Sequence, residues 1–401
     1  TFKSIILTKD IDLNSKEWTP IGTKEHPFTG RISGGGYTIS NLSITSDGDY
    51  RGLIGYAQGA DMNNDRVSVN HLTLEGVIDV TGNYVGALFG YVEEFRIDNC
   101  TIHVKMTVDG NCVGGVAGQM KRGYLDSTTN LGDIVGKKSS GSKTGGLVGY
   151  AYNVSITECL NRGDVTGAGQ TGGIAGQLNS AKNSLYGNVS RSSNKGDVSG
   201  TSDVGGIVGS ATLQGTGSNF VLSNLGDVTG QNQVGGIVGA FSGGTYGGLV
   251  SIYNVGKVTD TGTGDSGALV GRIYSMLYIM NGYALENSAD VLCTNNTAKR
   301  CEVEFESDSW FKSEDFITAQ GNFGHYWTLD PAANDGYPMI EFEAELIAAE
   351  KLEAAKQAAV AELDKYNPDH YAGLSKTAVE QAKKDAVGNI ESAETVEAVN
   401  R

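Results

Sequence analysis

Apolar residues in the first 285 positions recur in short blocks separated by glycine and small polar residues. In its most regular form, a block is a glycine pair, an apolar pair and a further glycine, as in residues 145–149. The final glycine of the block recurs every 27 to 35 residues, at Gly55, Gly90, Gly118, Gly149, Gly176, Gly209, Gly239 and Gly271. A sustained period near 30 residues is typical of a repeat architecture.

A second phrase, Asn-x-Gly followed by an acidic and an apolar residue, lies between the glycine blocks. Of the 58 glycines, 53 precede residue 286, and this density excludes a helical solenoid because glycine destabilises helix interiors. Short β-prone pieces separated by Gly, Ser, Thr and Asn predict strands joined by turns. One unit cannot bury its apolar face alone, whereas stacked units can. We therefore predict a mainly β fold, a right-handed parallel β-solenoid (β-helix).

Stacking would place equivalent residues in columns about 4.8 Å apart. The apolar pairs should form the core, and the asparagines should hydrogen-bond from coil to coil as a ladder, at Asn130, Asn161, Asn194, Asn224 and Asn254. A second column contains the acidic residues of the phrase, Asp133, Asp164, Asp197 and Asp227. Two interpretations of the acidic column stay open. In the first, each carboxylate accepts backbone N–H bonds within its own turn. In the second, the column binds calcium.

The G-G-[LIV]-[VA]-G blocks, with N-x-G-D-V-[TS]-G between them, resemble the GLUG motif of bacterial surface and secreted proteins. The stretch from Ile5 to Ile44 resembles the entry segment that often precedes such repeats. The resemblance covers residues 1–285 and implies a β-helix-like fold in an extracellular setting. It implies no single activity, because the motif occurs in adhesin-like proteins and in an accessory region of IgA-cleaving metalloproteases.

Composition divides the chain into an N-terminal cap with the first coil, the repeat solenoid, a C-terminal cap and an α-helical module, at 1–50, 51–285, 286–342 and 343–401. Trp18, Pro20 and Phe28 are predicted to plug the open N-terminal end of the core. The aromatic residues after residue 286 are predicted to seal the other end. A W…YP ending in this part resembles the segment that commonly closes GLUG arrays.

Beyond Ala344 the spacing of apolar residues predicts a helix that ends before Asn367–Pro368. A second helix should follow, and a third begins near Thr395 and is cut off at Arg401, which predicts a hairpin or small bundle. The stretch from Leu363 to Val399 resembles FIVAR-like helical modules of Gram-positive surface proteins, which serve as spacers or binding units.

The net charge of −16, most of it after residue 285, argues against nucleic acid or anionic membranes as partners. We find no apolar run long enough for a membrane span, so we expect no membrane insertion. A signal and an anchor are expected outside these residues, and the protein is expected to be a monomer. The odd number of cysteines argues against a disulfide framework, and only Cys293 and Cys301 are candidates for a bridge.

The sequence contains no H-E-x-x-H motif and no phosphate-binding loop, and its five histidines are scattered. We therefore predict a non-enzymatic secreted or surface protein, an adhesin or stalk for host proteins or glycans, with calcium as its one candidate cofactor. Trp18, Trp310 and Trp327 are candidate ligand contacts, with burial in the caps as the competing interpretation. The alternative is a polysaccharide lyase or hydrolase, which a cleft with two carboxylates beside aromatic side chains would favour.

Overall fold

The strands of the repeat region pair in parallel from coil to coil and form a β-solenoid of about nine coils, which confirms the predicted fold class. The computed structural model describes residues 4–61, 66–138, 141–182, 184, 186–214, 219–243, 248–275, 277–294, 300–365 and 373–399. The chain divides into two compact units, residues 1–338 and 339–401.

The strands of the first half are short and follow one another at coil spacing: β1 (Ser4–Ile6), β2 (Ile11–Asp12), β3 (Arg31–Ser33), β4 (Thr38–Ile44), β5 (Ile54–Gln58), β6 (Val67–Asn70), β7 (Thr73–Thr81), β8 (Val85–Gly86), β9 (Phe89–Asp98), β10 (Thr101–Asp109), β11 (Cys112–Gly114), β12 (Ala117–Asp126), β13 (Thr129–Asn130), β14 (Ile134–Gly136), β15 (Lys143–Gly145), β16 (Val148–Thr157), β17 (Leu160–Asn161) and β18 (Val165–Thr166).

The second half continues the same order: β19 (Gln170–Gly172), β20 (Ala175–Ser180), β21 (Asn188–Asn194), β22 (Val198–Ser199), β23 (Ser202–Gly205), β24 (Val208–Leu213), β25 (Asn219–Asn224), β26 (Val228–Gly230), β27 (Val234–Gly235), β28 (Val238–Gly243), β29 (Gly248–Asn254), β30 (Val258–Asp260), β31 (Ser266–Gly267), β32 (Val270–Ile273), β33 (Tyr278–Leu285), β34 (Arg300–Glu306), β35 (Trp327–Thr328) and β36 (Met339–Ile340). The helices are α1 (Asp308–Phe311), α2 (Glu314–Ala319), α3 (Glu341–Asp364), α4 (Leu374–Glu391) and α5 (Val396–Val399).

A single coil shows how the repeat phrases become structure. Strand β16 bends at Asn153, which has a left-handed φ of 52°, and a second left-handed residue, Glu158, turns the chain into β17. The Asn-x-Gly phrase forms the turn between β17 and β18. Strand β19 then leads to the glycine pair, after which β20 begins the next coil.

The apolar pairs that follow the glycines lie in the core, as predicted. Their side chains are at most 2% exposed, at Leu147, Val148, Ile174, Ala175, Ile207, Val208, Ile237, Val238, Leu269 and Val270. Burial of this apolar surface is the main favourable term in folding of the stack. Cys100 and Cys159 are core residues as well. Cys293 holds a free thiol, so the candidate bridge between Cys293 and Cys301 is not formed.

The buried asparagines form the predicted ladder. From Asn130 to Asn224, each Nδ2 donates to Oδ1 of the asparagine in the next coil at 2.7 or 2.8 Å. All five amides also donate to the carbonyl oxygen of the glycine two residues later, at 2.7 or 2.8 Å. Every one of these side chains is 0% exposed. Each amide therefore closes its own turn and joins neighbouring coils.

The second glycine of each pair lies against this ladder. A Cβ atom on Gly173 would lie 2.3 Å from Cγ of Asn194 and 2.2 Å from the carbonyl oxygen of Gly206. A Cβ atom on Gly206 would lie 2.3 Å from Cγ of Asn224. Real Cβ atoms do not approach other atoms so closely, so glycine is required here for space. The glycine block and the Asn-x-Gly phrase therefore pack against each other and form one structural unit.

The first coil covers the N-terminal end of the core only in part. Trp18 and Phe28 pack against the core, and Nε1 of Trp18 donates to the carbonyl oxygen of Leu53 at 3.0 Å. Four isoleucines of this coil nevertheless stay 43%, 67%, 40% and 37% exposed: Ile5, Ile6, Ile11 and Ile21. The predicted plug is thus incomplete, because the two aromatic side chains do not reach across the whole cross-section of the core.

The C-terminal end is covered differently from the prediction. Val303 and Phe305 of β34 pack against the end of the core. The aromatic segment that was predicted to seal this end contacts Phe220, Tyr253 and Tyr283, which belong to three successive coils. An end seal would contact only the last coil. The segment therefore lies along the side of the solenoid, where it buries outward-facing aromatic side chains.

The second unit contains the short strand β36 and the helices α3, α4 and α5. Helix α3 begins three residues before the predicted start, and Nζ of Lys383 on α4 lies 2.9 Å from Oδ1 of Asp364 on α3. The predicted helix end at Asn367–Pro368 lies outside the described residues. In the described part of the chain, no helix combines the length and apolar character needed to cross a membrane.

We expect Asn194→Ala to lower the free energy of unfolding by about 3 kcal/mol or more, because it leaves buried donors and acceptors without partners. Denaturant unfolding followed by circular dichroism measures this change. The matched control is Asn232→Ala, since Asn232 is exposed and its side chain makes, among the described residues, one long hydrogen bond of 3.5 Å to the carbonyl oxygen of Thr201. The control should stay within about 0.5 kcal/mol of the parent protein. Equal losses in the two variants would contradict the ladder's structural role.

Candidate functional site

Outward-facing side chains of five successive coils form a flat aromatic and polar surface, which we call the tyrosine face. It lies on β5, β9, β12, β16 and β20, in two columns set by the strand register. One column holds Tyr56, Tyr91, Gln119, Tyr150 and Gln177, and the other holds Gln58, Glu93, Lys121, Tyr152 and Asn179. Neighbouring members of a column are separated by about 4.8 Å, the spacing of paired strands.

The N-terminal part of the tyrosine face is a cluster of four rings, to which Tyr50 and Tyr84 contribute from the adjoining corner. Tyr50 and Tyr84 stack with centroids 5.1 Å apart and ring planes 8° apart. Tyr56 and Tyr91 stack at 4.6 Å and 15°. Because these distances match the coil spacing, the rings stack along the solenoid axis. Tyr56 is only 8% exposed in this stack, and the hydroxyl of Tyr91 is bonded within the face.

A buried carboxylate supports the stacked rings. Glu93 is 6% exposed and accepts a hydrogen bond from the Tyr91 hydroxyl at 2.6 Å. Nζ of Lys121 lies 3.1 Å from the same carboxylate, and Arg122 pairs with it as well. Burial alone would raise the pKa of Glu93, but the hydrogen bonds from Tyr91 and Lys121 outweigh it and lower that pKa. The Glu93 carboxylate is therefore ionised, and Lys121 and Arg122 balance it together with the carboxylate of Glu94, which also pairs with Arg122.

Tyr150 stands on the same face two coils beyond Tyr91. Its hydroxyl accepts a hydrogen bond from Nδ2 of Asn179 at 3.3 Å, and Nζ of Lys143 lies 5.8 Å from its ring centroid. Burial raises the pKa of Tyr150, so the phenol stays protonated at neutral pH. Phenols and primary amides offer both donors and acceptors without net charge. The face is therefore chemically suited to a ligand rich in hydroxyl groups.

The three tryptophans that the sequence offered as candidate ligand contacts pack against other parts of the protein. Nε1 of Trp327 donates to Oγ of Ser251 at 2.9 Å, and the side chain is 5% exposed. Trp310 packs on Tyr283 with centroids 4.8 Å apart, and Trp18 lies against the first coil. None of these three residues belongs to the tyrosine face. A sequence signal for the face does exist, since a tyrosine follows the final glycine of the block at Tyr56, Tyr91 and Tyr150.

The acidic column lies on exposed turns. Oδ1 of Asp133, Asp164 and Asp197 accepts the backbone N–H of the aspartate in the next coil at 2.8 to 3.1 Å. Oδ1 of Asp227 accepts the N–H of Lys257 in the same way at 2.8 Å. The predicted role as an acceptor of backbone N–H bonds is correct. However, the donor belongs to the next coil and not to the same turn, because parallel stacking aligns each N–H with the carboxylate before it.

These contacts favour the backbone interpretation of the column over calcium. Among the described residues, no group of three or more His, Cys, Asp or Glu side chains is arranged to hold a metal ion.

We expect Asp197→Ala to cost about 1 kcal/mol of unfolding free energy, because the N–H of Asp227 loses its acceptor. Asp197→Asn should cost less, since the amide oxygen still accepts that bond. Calcium and chelator should both leave the unfolding midpoint of the parent protein unchanged. A midpoint that rises with calcium and falls again with chelator would instead support an ion bound by the column.

A second group of carboxylates lies elsewhere on the solenoid, beside Tyr124. Asp98 and Asp126 are partners on neighbouring strands, and Oδ2 of Asp126 lies 3.3 Å from Nη2 of Arg96. Burial raises the pKa of Asp126 to about 6; Arg96 opposes this shift, and the neighbouring carboxylates Asp98 and Glu158 add to it. Residue types of this kind are what the enzyme alternative requires.

Glu158, the second carboxylate that an enzyme would need beside Asp126, is nevertheless engaged by other side chains. Oε1 of Glu158 accepts Nε of Arg191 and lies 2.9 Å from both Nε and Nη2 of that residue. Oε2 of Glu158 accepts a hydrogen bond from Oγ of Ser127 at 3.3 Å. A nucleophile or general base needs a free oxygen facing its substrate. The group is therefore an ion-pair network.

We expect Asp126→Asn to stabilise the protein at neutral pH. The pKa of Asp126 is about 6 in the folded protein, against about 3.9 for an unfolded aspartate, so ionisation is more costly in the folded state. The wild-type carboxyl is at no disadvantage below about pH 4, and stability is lost as the pH rises through 6. The folded pKa already includes the pairing with Arg96, so the variant should gain up to about 2 kcal/mol above pH 6 once the partial exposure of the carboxyl is allowed for. Unfolding curves from pH 3.5 to 7.5 test this, and a gain that does not vary with pH would contradict it.

A polar cleft of about 730 Å³ opens beside the last coils, lined in part by Lys257, Asp260, Glu286 and Asp290. Its charged residues include both signs. Phe305, the aromatic residue in its lining, packs against the core. The cleft therefore lacks the row of aromatic and amide groups that the tyrosine face presents.

No family model matches this chain. A candidate Gly-rich membrane protein of Evansella cellulosilytica is 30% identical over 98 residues, which is 24% of this chain and 11% of that relative. The match thus spans about a tenth of the relative's length. The crystal structure of a candidate immunoglobulin A1 protease from Bacteroides ovatus aligns over 85% of this chain and 86% of its own, with 16% identity and a TM-score of 0.38. A structural similarity at this level gives no information about activity.

Proposed function

We propose that this protein is a non-enzymatic surface or secreted protein whose solenoid binds an extended, neutral glycan along the tyrosine face. The observation that carries the proposal is the repetition of phenol and amide side chains at coil spacing over five coils. A polymer with regularly spaced hydroxyl groups can contact several coils at once. Weak individual contacts then add to a useful affinity.

The shape of the face favours a polymer over a small molecule. Small-molecule sites are concave and enclose most of the ligand, whereas the tyrosine face is the outer surface of a sheet. Tyr91 and Tyr150 are two coil spacings apart, roughly 9.6 Å. This separation is close to the length of a disaccharide in an extended glycan. A chain lying along the solenoid axis could therefore place equivalent sugar units against both rings.

The charge of the face favours a neutral ligand. Lys121 and Arg122 together neutralise the carboxylates of Glu93 and Glu94, and the remaining members of the two columns are tyrosines and primary amides. An acidic glycan would need uncompensated cations, and a basic ligand would need free carboxylates. Tyrosine is also suited to recognition because its ring is rigid and its hydroxyl is polar.

The extracellular setting is supported by independent features of the chain. The repeat phrases resemble GLUG motifs, and the helical segment resembles FIVAR-like modules of Gram-positive surface proteins. The relative that aligns over 98 residues carries a membrane-protein name. A stacked solenoid is also mechanically suited to a stalk, because each coil is held by its neighbours along the whole length.

A glycan array with the purified chain tests the proposal, and we expect binding to neutral polysaccharides. Tyr150→Ala should weaken that binding roughly tenfold, equivalent to about 1.4 kcal/mol. Tyr150→Phe, which keeps the ring, should lose less. Tyr37→Ala is the matched control, because Tyr37 is 37% exposed and lies outside the tyrosine face. Equal losses for Tyr37→Ala and Tyr150→Ala, or no glycan bound at all, would contradict the proposal.

The second candidate function is glycan hydrolysis. The specific observation in its favour is the raised pKa of Asp126 beside Glu158 and Tyr124, which resembles the acidity of a general acid. We favour binding because Arg191 and Ser127 occupy the oxygens of Glu158. Release of reducing sugar by the parent protein, lost in Asp126→Asn, would establish hydrolysis instead.

A further inference from the structure

The second column of the tyrosine face continues beyond β20 along the solenoid. In register, Asn179 pairs with Thr212 on β24, and Thr212 pairs with Ser242 on β28. Tyr274 takes the next place, because its N–H donates to the carbonyl oxygen of Phe241, the residue before Ser242, at 2.8 Å. The column therefore extends three coils past the tyrosine face and ends on another tyrosine.

The ring of Tyr274 is exposed and yet held in place. It is 56% exposed, whereas no other tyrosine, tryptophan or phenylalanine among the described residues exceeds 37%. Cζ of Arg272 lies 5.0 Å from the ring centroid, a distance at which a guanidinium is attracted to an aromatic face. The next residue, Ser275, fixes the backbone because its Oγ hydrogen-bonds both the N–H and the carbonyl oxygen of Gly243, at 2.7 and 2.8 Å. The ring therefore keeps its position on the surface without being buried.

We infer that Tyr274 and Arg272 form a second aromatic subsite for the glycan, which we call the far subsite. Tyr152 and Tyr274 stand four coil spacings apart in one column, roughly 19 Å, which is about the length of two disaccharides. The inference rests on the proposed function and adds to it the length of the ligand. A chain of about five extended sugar units reaches from Tyr152 to the far subsite, at the same coil spacing.

The residues between the two rings suit the same ligand. Asn179, Thr212 and Ser242 are partly exposed, and their amide and hydroxyl groups both donate and accept hydrogen bonds. They are smaller than the tyrosines, so a chain that rests on both rings passes above them and contacts them directly or through water.

The charge at the far subsite is balanced as well. Nη1 of Arg272 lies 3.0 Å from Oδ2 of Asp265, so the guanidinium has a carboxylate partner in the protein. An acidic glycan would need a cation without such a partner. The far subsite therefore matches the neutral ligand that the tyrosine face favours.

Titration calorimetry of the intact chain with neutral β-1,4-linked glucose oligosaccharides of two and six units tests the inference. The six-unit chain should bind at least about tenfold more tightly, because only it contacts both rings at once. Tyr274→Ala should remove most of this difference and leave the affinity for the two-unit sugar within about twofold. Tyr274→Phe keeps the ring and should retain most of the difference. Tyr37→Ala, which alters an exposed tyrosine outside both columns, is the matched control.

Failure of the inference and failure of the proposed function give different results. Absence of binding by both glucose oligosaccharides, and by N-acetylglucosamine and mannose chains of the same lengths, contradicts both. Binding that does not strengthen with length, or that Tyr274→Ala and Tyr37→Ala affect equally, overturns the far subsite and leaves glycan binding at Tyr150 standing. The unfolding curve of Tyr274→Ala should match that of the parent protein, because the side chain is exposed, so a lost length effect reports on the ligand contact.

Discussion

The solenoid depends on one contact, that of a buried asparagine amide with the second glycine of a glycine pair. The Asn194 side chain occupies the space where a Cβ atom on Gly173 would lie, and it hydrogen-bonds both its own turn and Asn224 of the next coil. An amide fits this position because it is neutral and supplies donors and an acceptor at once. Any larger residue in place of the glycine would separate the coils, and any apolar residue in place of the asparagine would leave buried carbonyl groups without donors.

The register set by this contact determines what the outside of the solenoid can do. The strand register places outward-facing residues in columns whether or not they interact favourably. The chemical behaviour of each side chain therefore depends on its neighbours. Asp197 lies where a backbone N–H of the next coil meets its carboxylate. Asp126 is largely buried and lies beside Asp98 and Glu158, so its pKa rises. On another side, the same spacing stacks Tyr56 on Tyr91 and creates an aromatic surface.

The two ends of the solenoid differ for a related reason. A stack of identical coils always ends in an exposed cross-section of its core, which something must cover. β34 continues the stack at the C-terminal end, and its Val303 and Phe305 cover the last core residues. At the other end, Trp18 and Phe28 cover only part of the cross-section, which leaves Ile5 and its neighbours exposed.

The repeat alone determined the parallel solenoid, its core columns and the asparagine ladder, because stacking of repeated units brings each repeat residue against its own equivalent. Contacts between residues that are not equivalent in the repeat were decided by the tertiary structure. The aromatic segment after β34 packs along the side because Phe220, Tyr253 and Tyr283 face outward there, which depends on strand register. The tyrosine face likewise required knowing which side of each strand points to solvent. Bends within long strands, such as that at Asn153, shift the alternation of side chains, so spacing along the sequence cannot supply that information.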